Sequence, residues 1–257
     1  MNKIIYNLML STLPLFLSGC SIDKLIFYPP QRTSLPTLPG QVMLKLSPDI
    51  SIAAQFIKAK KGTYWILYSH GNATDLYGLQ SHFGDFSRHG YSVAAYDYEG
   101  YGNSQGLPSE SAAYRDIEAV YRYMTDKLKI PVEKIVVYGR SVGSGTACYL
   151  AEKYKVAALV LESPYTTIAE VVTDLPVPFD RFPNIDRIDK IKVPILIFHG
   201  ARDKVIDVLH AQKLFEKSNP PKTLVLVPEA GHNDLKYKAG QFYWSSLGEF
   251  VRVKACK

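Results

Sequence analysis

The chain has 257 residues, of which 47% are hydrophobic and 21% charged, and this suits one folded domain. Such a composition excludes a disordered chain and a collagen-like or repeat protein. The formal net charge of +6 is modest and spread along the chain, which argues against a nucleic-acid groove and is compatible with an anionic membrane nearby. Three cysteines cannot form a disulfide framework, and no Cys-x-x-Cys or His-Glu-x-x-His spacing occurs, so the sequence predicts no metal site.

Residues 1–19 have the pattern of a signal peptide. Lys3 gives a positive start, and the apolar run Ile4–Leu17 is too short to span a bilayer comfortably. The sequence Leu17-Ser18-Gly19-Cys20 resembles the bacterial lipobox, whose cysteine is acylated and becomes the mature N-terminus. An ordinary secretory signal with an incidental cysteine is the alternative. Because Ser21 is not the aspartate that retains such proteins at the inner membrane, we expect a lipid-anchored protein of the bacterial cell envelope, on the outer membrane.

Residues 20–40 are predicted to form a lipid-anchored tether, and residues 41–257 the catalytic domain. Four prolines stiffen the tether and prevent regular structure in it: Pro29, Pro30, Pro36 and Pro39. The sequence Leu25-Ile26-Phe27-Tyr28 is apolar enough either to dock on the domain or to lie on lipid.

From residue 41 the chain alternates between strand and helix patterns. The first two predicted strands, Gln41–Leu46 and Ile50–Lys58, are expected to pair antiparallel. Six apolar runs follow that are typical of strands covered on both faces: Tyr64–Tyr68, Ser92–Tyr96, Lys134–Tyr138, Ala157–Leu161, Ile195–Phe198 and Thr223–Val227. Five helical patterns lie among them: Leu76–His89, Ser109–Leu128, Val142–Tyr154, Val208–Lys217 and Phe242–Val253.

This alternation predicts an α/β fold with a mostly parallel, eight-stranded, doubly wound sheet. Functional side chains of such sheets lie at the C-terminal ends of the strands. We therefore examined the loops after residues 68, 96, 138, 162, 199 and 227.

A Gly-x-Ser-x-Gly pentapeptide, Gly139-Arg140-Ser141-Val142-Gly143, lies between a predicted strand and a predicted helix. Small residues on both sides of the serine allow a sharp turn that lifts Ser141 Oγ clear of the sheet and places it at a helix N-terminus. The pattern indicates a nucleophilic serine, and a glycine-rich turn without chemistry is the alternative.

A nucleophilic serine requires a base and a group that orients the base. Asp203 and His232 follow the last two predicted strands, and the order serine, acid, histidine is that of the α/β-hydrolase fold. Glu162 follows the strand after the pentapeptide and is the alternative acid. Asp207 has the pattern of a helix N-cap, and Asp234 follows the histidine in a loop.

The other histidines are interpreted as structural. His82, His89 and His210 lie in helical stretches and are expected at the surface, whereas His70 and His199 end strands within His-Gly pairs. This leaves His232 as the base.

An oxyanion hole completes the predicted site. One donor is the backbone N–H of Val142, which follows the nucleophile. The other is the N–H of Asn72, in the loop Ser69-His70-Gly71-Asn72-Ala73, where the glycine lets the backbone turn.

Five blocks carry a resemblance to a known family: His70-Gly71-Asn72-Ala73, Tyr96–Ser104, Tyr138–Gly143, Phe182-Pro183-Asn184-Ile185 and Gly231-His232-Asn233-Asp234. They resemble the eukaryotic α/β-hydrolase-domain depalmitoylases (acyl-protein thioesterases), serine hydrolases that remove palmitate from membrane-bound proteins. The similarity covers roughly residues 64–251. It implies the α/β-hydrolase fold, with Ser141 as nucleophile, Asp203 as acid and His232 as base.

The chain departs from that family in its first residues. The eukaryotic proteins begin with a cysteine-rich, palmitoylated segment, whereas this chain has a signal peptide and one lipobox-like cysteine. Palmitoylated client proteins are not expected for an exported bacterial protein. The resemblance therefore predicts fold and chemistry, and leaves the substrate open.

The connection between Leu161 and Ile195 predicts an open site. It is too short for a cap domain, so only a short lid insertion is expected over the mouth. Its apolar residues form either a wall for an acyl chain or a packed loop: Val171, Val172, Leu175, Pro176, Val177, Pro178, Phe179, Phe182 and Pro183.

The sequence thus predicts a serine hydrolase of acyl esters or thioesters that forms an acyl-enzyme and requires no metal or cofactor. Two alternatives remain: a serine peptidase on the same fold, and a non-catalytic, lipid-anchored binding protein. The oligomeric state is left open. Cys148 and Cys256 are expected to be free thiols, because their helices lie on opposite faces of such a sheet.

Overall fold

The structure is a computed structural model that describes residues 23–24, 26–31, 35–173 and 180–254. The predicted signal peptide, Cys20, Cys256 and residues 174–179 of the insertion lie outside the described residues. Within the described residues, no helix is long and apolar enough to cross a bilayer.

Eight strands form one sheet in the order β1-β2-β4-β3-β5-β6-β7-β8. They are β1 Gln41–Lys45, β2 Ser51–Ile57, β3 Tyr64–Ser69, β4 Tyr91–Tyr96, β5 Ile135–Arg140, β6 Ala158–Glu162, β7 Ile195–Gly200 and β8 Lys222–Val227. Strand β2 pairs antiparallel with β1 and β4, and the pairs from β4 to β8 are parallel. The predicted eight-stranded, mostly parallel sheet is confirmed, with strand ends that differ by one or two residues.

The helices join the strands as the alternation predicts. They are α1 Gln80–Arg88, α2 Glu110–Arg122, α3 Gly143–Lys153, α4 Ile168–Val172, α5 Asn184–Arg187, α6 Val208–Lys217, α7 Leu235–Ala239 and α8 Gln241–Lys254. Helix α1 begins four residues after its predicted start, and α2 continues as a π-helical turn over Tyr123–Lys127. The short α4, α5 and α7 were not predicted, because one turn of helix carries too little periodicity to detect.

Two hydrophobic layers cover the sheet, one on each face. Residues of α2, α3 and α6 pack in one layer, and residues of α1 and α8 in the other. Cys148 of α3 is buried, and its helix and α8 cover opposite faces as predicted. All parallel strands end at the same edge, so their C-terminal loops meet there.

The N-terminal segment docks on the domain. Phe27 is buried and makes edge contacts with the rings of Tyr98, Tyr101 and Phe182, at centroid distances of 6.0–6.3 Å. Asp23 pairs with Arg181 of the β6–β7 connection, Oδ1 to Nε 3.3 Å. Of the two positions expected for this apolar stretch, the structure supports docking for residues 23, 24 and 26–28, here called the docked segment.

Candidate active site

Ser141 lies in the sharp turn between β5 and α3. Its φ of +52° is in the left-handed region, which a non-glycine residue rarely adopts. The flanking glycines permit the close approach of strand and helix: a Cβ on Gly139 would lie 2.4 Å from the Gly143 carbonyl oxygen, and one on Gly143 would lie 2.2 Å from that of Ser69. The turn exposes Ser141 Oγ at the C-terminal edge of the sheet, as the pentapeptide predicts.

His232 and Asp203 reach Ser141 from the loops after β8 and β7. His232 Nε2 lies 3.1 Å from Ser141 Oγ, and His232 Nδ1 lies 2.7 Å from Asp203 Oδ2. The side chain of Asp203 is buried, whereas 9% of that of His232 remains exposed. The structure thus brings together the three side chains that the sequence analysis selected, in the geometry of a nucleophile, a base and an orienting acid.

Asp203 is held as a carboxylate by its hydrogen bonds. Burial alone would raise its pKa, but the hydrogen bond with His232 and the backbone N–H groups of Ile206 and Val205 hold the pKa below its ordinary value. Those two N–H groups donate to Oδ1 at 2.9 and 2.8 Å, which leaves Oδ2 for the imidazole. This arrangement fixes the proton on His232 Nδ1, so Nε2 can accept one.

Glu162, the alternative acid, occupies a different place. Its side chain is buried, where it accepts hydrogen bonds from Tyr138 Oη and from Arg140 Nε, the latter at 3.0 Å. Burial alone would raise the pKa of Glu162, but Arg140, His82 and Tyr138 hold it below its ordinary value. The structure therefore favours Asp203 over Glu162 as the partner of His232.

Arg140 is a functional candidate that the sequence analysis did not select. Besides pairing with Glu162, it donates from Nη2 to the carbonyl oxygen of His232 at 3.0 Å and to Asn233 Oδ1 at 2.8 Å. Its Nη1 also lies against the loop after β3, since a Cβ on Gly71 would be 2.9 Å from it. No local pattern marks Arg140, because its contact with the His232 carbonyl oxygen spans 92 residues of sequence. Arg140 thus ties the turn of the serine to the loop of the histidine.

The predicted oxyanion residues lie on the two loops that face Ser141. Val142 begins the turn into α3, and Asn72 lies in the loop after β3. The side chain of Asn72 is engaged in a way that the sequence did not predict: its Oδ1 accepts from the backbone N–H of Tyr28 at 2.8 Å and from Tyr101 Oη at 2.6 Å, and its Nδ2 donates to the carbonyl oxygen of Ile26. The docked segment therefore holds the loop that carries the Asn72 N–H.

The expectation of surface positions for three histidines is wrong for His210 and holds only in part for the partly buried His82. His210 is buried, and its Nδ1 lies 2.7 Å from Thr166 Oγ1. His82 packs its ring against Tyr68 and Phe86, and burial lowers its pKa to about 4. His89 is exposed as expected. Periodicity placed these residues on helices, but which helix face meets a neighbour depends on the tertiary contacts.

Within the described ranges, no cluster of His, Cys, Asp and Glu residues has the arrangement of a metal site. The constellation of nucleophile, base and two loop N–H groups suits attack on a carbonyl carbon and stabilisation of the resulting oxyanion.

Sequence comparisons place the chain among known hydrolases. The family described as Serine aminopeptidase, S33, matches residues 61–182 and 184–236. Human alpha/beta hydrolase domain-containing protein 17B is 40% identical over 214 residues, which are 81% of this chain and 74% of that protein. Alpha/beta hydrolase domain-containing protein 17C of Xenopus tropicalis is 37% identical over 205 residues, 78% of this chain and 66% of that protein.

Solved structures share the architecture. An esterase of Pyrococcus furiosus superposes with a TM-score of 0.73 at 19% identity, covering 89% of this chain and 100% of that one. The esterase domain of a Rhodothermus marinus protein superposes with a TM-score of 0.65 at 19% identity, covering 84% and 98%. These likenesses confirm the predicted α/β-hydrolase fold.

Proposed function

Because the chain belongs to the family described as Serine aminopeptidase, S33, and is a relative of alpha/beta hydrolase domain-containing proteins 17B and 17C, we propose that it is a serine hydrolase of acyl esters or thioesters. The observation that carries the proposal is the hydrogen-bonded series from Ser141 Oγ through the imidazole of His232 to Asp203, at 3.1 and 2.7 Å.

The reaction proceeds in two steps. His232 Nε2 takes the proton of Ser141 as Oγ attacks the acyl carbonyl carbon, and the N–H groups of Asn72 and Val142 stabilise the oxyanion. His232 then gives its proton to the leaving oxygen or sulfur, which departs and leaves an acyl-enzyme. In the second step His232 activates a water that releases the acid, while Asp203 stabilises the imidazolium throughout.

Of the apolar residues in the connection from β6 to β7, Phe182 is a packing residue that is buried against α3: a Cβ on Gly145 would lie 2.3 Å from its ring. An acyl group is therefore favoured as the substrate by the similarity of the sequence to known hydrolases rather than by this side chain. The resemblance of the sequence blocks to depalmitoylases supports a thioester as well as an ester. A peptide substrate is the second candidate, since the matching family is described as an aminopeptidase family.

The cellular location of the enzyme is also part of the proposal. The leader supports export, acylation of Cys20 and attachment to the bacterial outer membrane. A membrane location would bring the enzyme to acyl groups that are held in lipid.

The assignment of the nucleophile and the acid is tested by substitution. Ser141→Ala should lower kcat on a soluble short-chain ester by about 10⁶-fold and abolish labelling by a fluorophosphonate. Asp203→Asn should lower kcat by about 10⁴-fold, because the amide nitrogen that replaces Oδ2 would donate to His232 Nδ1 and fix the wrong imidazole tautomer. Glu162→Gln serves as the matched control and should cost far less, because Glu162 reaches His232 only through Arg140. A severe Glu162→Gln with a mild Asp203→Asn would exchange the two roles.

The acyl and peptide alternatives are separated by substrate series. Wild-type enzyme should hydrolyse acyl esters and acyl thioesters faster than aminoacyl naphthylamides at equal concentration. Preferential cleavage of the naphthylamides, lost in Ser141→Ala, would replace the acyl hydrolase by a peptidase.

A further inference from the structure

Large apolar side chains are exposed around the candidate site. Of the eleven that are exposed in the described part of the chain, seven lie on the docked segment or on segments that follow the C-terminal ends of strands: Leu107 of the β4–α2 connection and six others. The six others are Tyr28, Tyr77, Val172, Val205, Leu209 and Tyr237, here called the rim. Single exposed apolar residues are ordinary on proteins, but a ring of them around one site indicates an interaction surface.

Each member of the rim lies on a segment that follows the C-terminal end of a parallel strand, or in the docked segment, and these segments meet at the edge of the sheet that carries Ser141. Val205 and Leu209 follow Asp203, and Tyr237 lies in α7, five positions after His232. Val172 ends α4, which is joined to α6 by the hydrogen bond from Lys213 Nζ to Glu170 Oε2 at 3.2 Å. The exposed fractions of Val172 and Tyr237 are 71% and 84%.

Tyr77 and Tyr28 complete the ring on the side of the oxyanion loop. Tyr77 follows Asn72 by five residues, and the backbone N–H of Tyr28 bonds to the side chain of Asn72. Both tyrosines are about half exposed.

Positive charges flank these apolar residues. Lys204 precedes Val205, and Lys236 and Lys238 enclose Tyr237. Lys204 and Lys238 are exposed, whereas Lys236 is paired with Asp85. Of the acids on the same loops, Asp207 accepts a hydrogen bond from the N–H of Leu209 as the cap of α6, and Glu229 is paired with Arg202. Apolar tips between lysines suit the boundary between acyl chains and anionic headgroups, where the tips enter the apolar layer and the ammonium groups remain at the surface.

The position of the N-terminal residues points to the same occupant. The described chain begins at Asp23, at the rim, and the sequence before it carries the apolar run Ile4–Leu17 and the lipobox-like Cys20. Any attachment to lipid through those residues therefore meets the protein at the rim rather than at the opposite edge of the sheet.

We propose that the rim is a bilayer-docking surface that sets the mouth of the Ser141 site on a membrane containing anionic lipids. The acyl group would then pass from the bilayer to Ser141 without crossing water. The proposal deepens the proposed function, on which it rests only for the identity of the substrate. Docking itself is a property of the rim and can be measured without catalysis.

The first test compares rates on two substrates. The full-length triple variant Val172→Ser/Leu209→Ser/Tyr237→Ser should hydrolyse a long-chain acyl ester embedded in phosphatidylethanolamine–phosphatidylglycerol vesicles about tenfold or more slowly than wild type. Its kcat/KM on a soluble short-chain ester should stay within about twofold. The control Leu128→Ser/Val253→Ser removes exposed apolar side chains from two other helix ends and should change neither rate. Equal losses on vesicles for the rim and control variants would overturn the proposal.

The second test needs no activity. In full-length protein bound to vesicles with brominated acyl chains, a tryptophan in Leu209→Trp should be quenched beyond the wild-type background, and one in Leu128→Trp should not. Equal quenching at both positions would overturn docking through the rim. A dimer that dissociates in the triple variant would assign the rim to a second copy of the chain instead. Absence of ester hydrolysis by wild type would count against the proposed function, and the quenching would still decide the fate of the rim.

Discussion

On one side of Ser141 the His232 loop is fixed by Arg140, which is paired with the buried Glu162, whereas on the other side the Asn72 loop is fixed by the docked segment. The first arrangement belongs to the sheet, since Arg140 and Glu162 end the paired strands β5 and β6. The second depends on residues that precede the domain by sequence and are joined to it by a few contacts.

The two sides of the site are therefore held in position in different ways. The position of the base is coupled to the hydrophobic core, so it should persist as long as the domain is folded. The Asn72 N–H, the proposed oxyanion donor, is coupled to the docked segment, which packs Ile26 and Phe27 against the domain but lies outside the sheet, so that it can undock without global unfolding. Disturbing the first side should therefore affect stability and rate together, and disturbing the second side should affect mainly the rate.

The largest effect is expected at Arg140. Arg140→Met leaves the carboxylate of Glu162 buried without its cation, which should lower the free energy of unfolding by about 3–5 kcal/mol. It also removes the hydrogen bonds to the His232 carbonyl and Asn233, so kcat on a soluble ester should fall by about 10- to 100-fold. Urea unfolding and steady-state kinetics on the same preparation measure both.

The double variant Arg140→Met/Glu162→Gln distinguishes positioning from stability. It should regain much of the lost free energy of unfolding, because no unpaired charge remains, while kcat stays low, because the His232 loop is still unheld. Recovery of kcat together with stability would mean that Arg140 acts only by keeping the domain folded.

A smaller effect is expected at Asn72. Asn72→Ala keeps the backbone N–H but removes the side-chain hydrogen bonds to Tyr28, Ile26 and Tyr101. Because an oxyanion donor acts on the transition state, kcat should fall by about tenfold with little change in KM or in the urea midpoint.

Phe27→Ala should have the same kinetic signature, since it removes the buried ring that holds the docked segment in place. Tyr101→Phe is the matched control, because it deletes one of the bonds to Asn72 and keeps the ring packed against Phe27. A rise of KM at unchanged kcat in Phe27→Ala would show instead that the segment contacts substrate.

The smallest effect concerns the pH dependence of the free energy of unfolding, and it involves His70 in the loop that carries Asn72. Burial lowers the pKa of His70, next to the Asn72 loop, to about 4, although the Gly71 carbonyl and Asp75 oppose the shift. Histidine in the unfolded chain has a pKa near 6.5, so the unfolded state binds more protons between about pH 6.5 and 4. The free energy of unfolding should thus fall as the pH decreases through that window.

Urea unfolding at a series of pH values measures this dependence. His70→Gln should flatten the slope between about pH 6.5 and 4, whatever its effect on absolute stability. The exposed His89→Gln controls for loss of a histidine elsewhere. An unchanged slope in His70→Gln would assign the acid sensitivity to other groups.

The strands of the sheet could be predicted from the sequence because each strand is a short apolar run, which is a local pattern. Runs such as Ile195–Phe198 are buried on both faces, and their ends mark where the loops with Asp203 and His232 begin. The order of the loops then followed from the fold, since parallel strands bring their C-terminal ends to one edge.

The side-chain contacts that position the site could not be predicted from the sequence. Whether Arg140 meets His232 depends on how the loop after β8 crosses the turn after β5, and no local pattern records that crossing. The bond between Tyr28 and Asn72 spans 44 residues and depends on Phe27 finding a cavity between Tyr98, Tyr101 and Phe182. Long-range side-chain contacts of this kind follow from packing rather than from periodicity.

The docking of Asp23 has a geometric consequence for an enzyme anchored at Cys20. Only Ser21 and Ile22 separate the two positions, and the three Cα-to-Cα steps between them can span at most about 11 Å. With the docked segment in place, the catalytic domain of such an enzyme would stay next to the leaflet that holds its anchor. It could not reach a second membrane on the other side of an aqueous gap. Its encounters with substrate would be governed by molecules per unit of membrane area, so dilution of the substrate within the lipid would slow it, whereas dilution of the whole suspension would not.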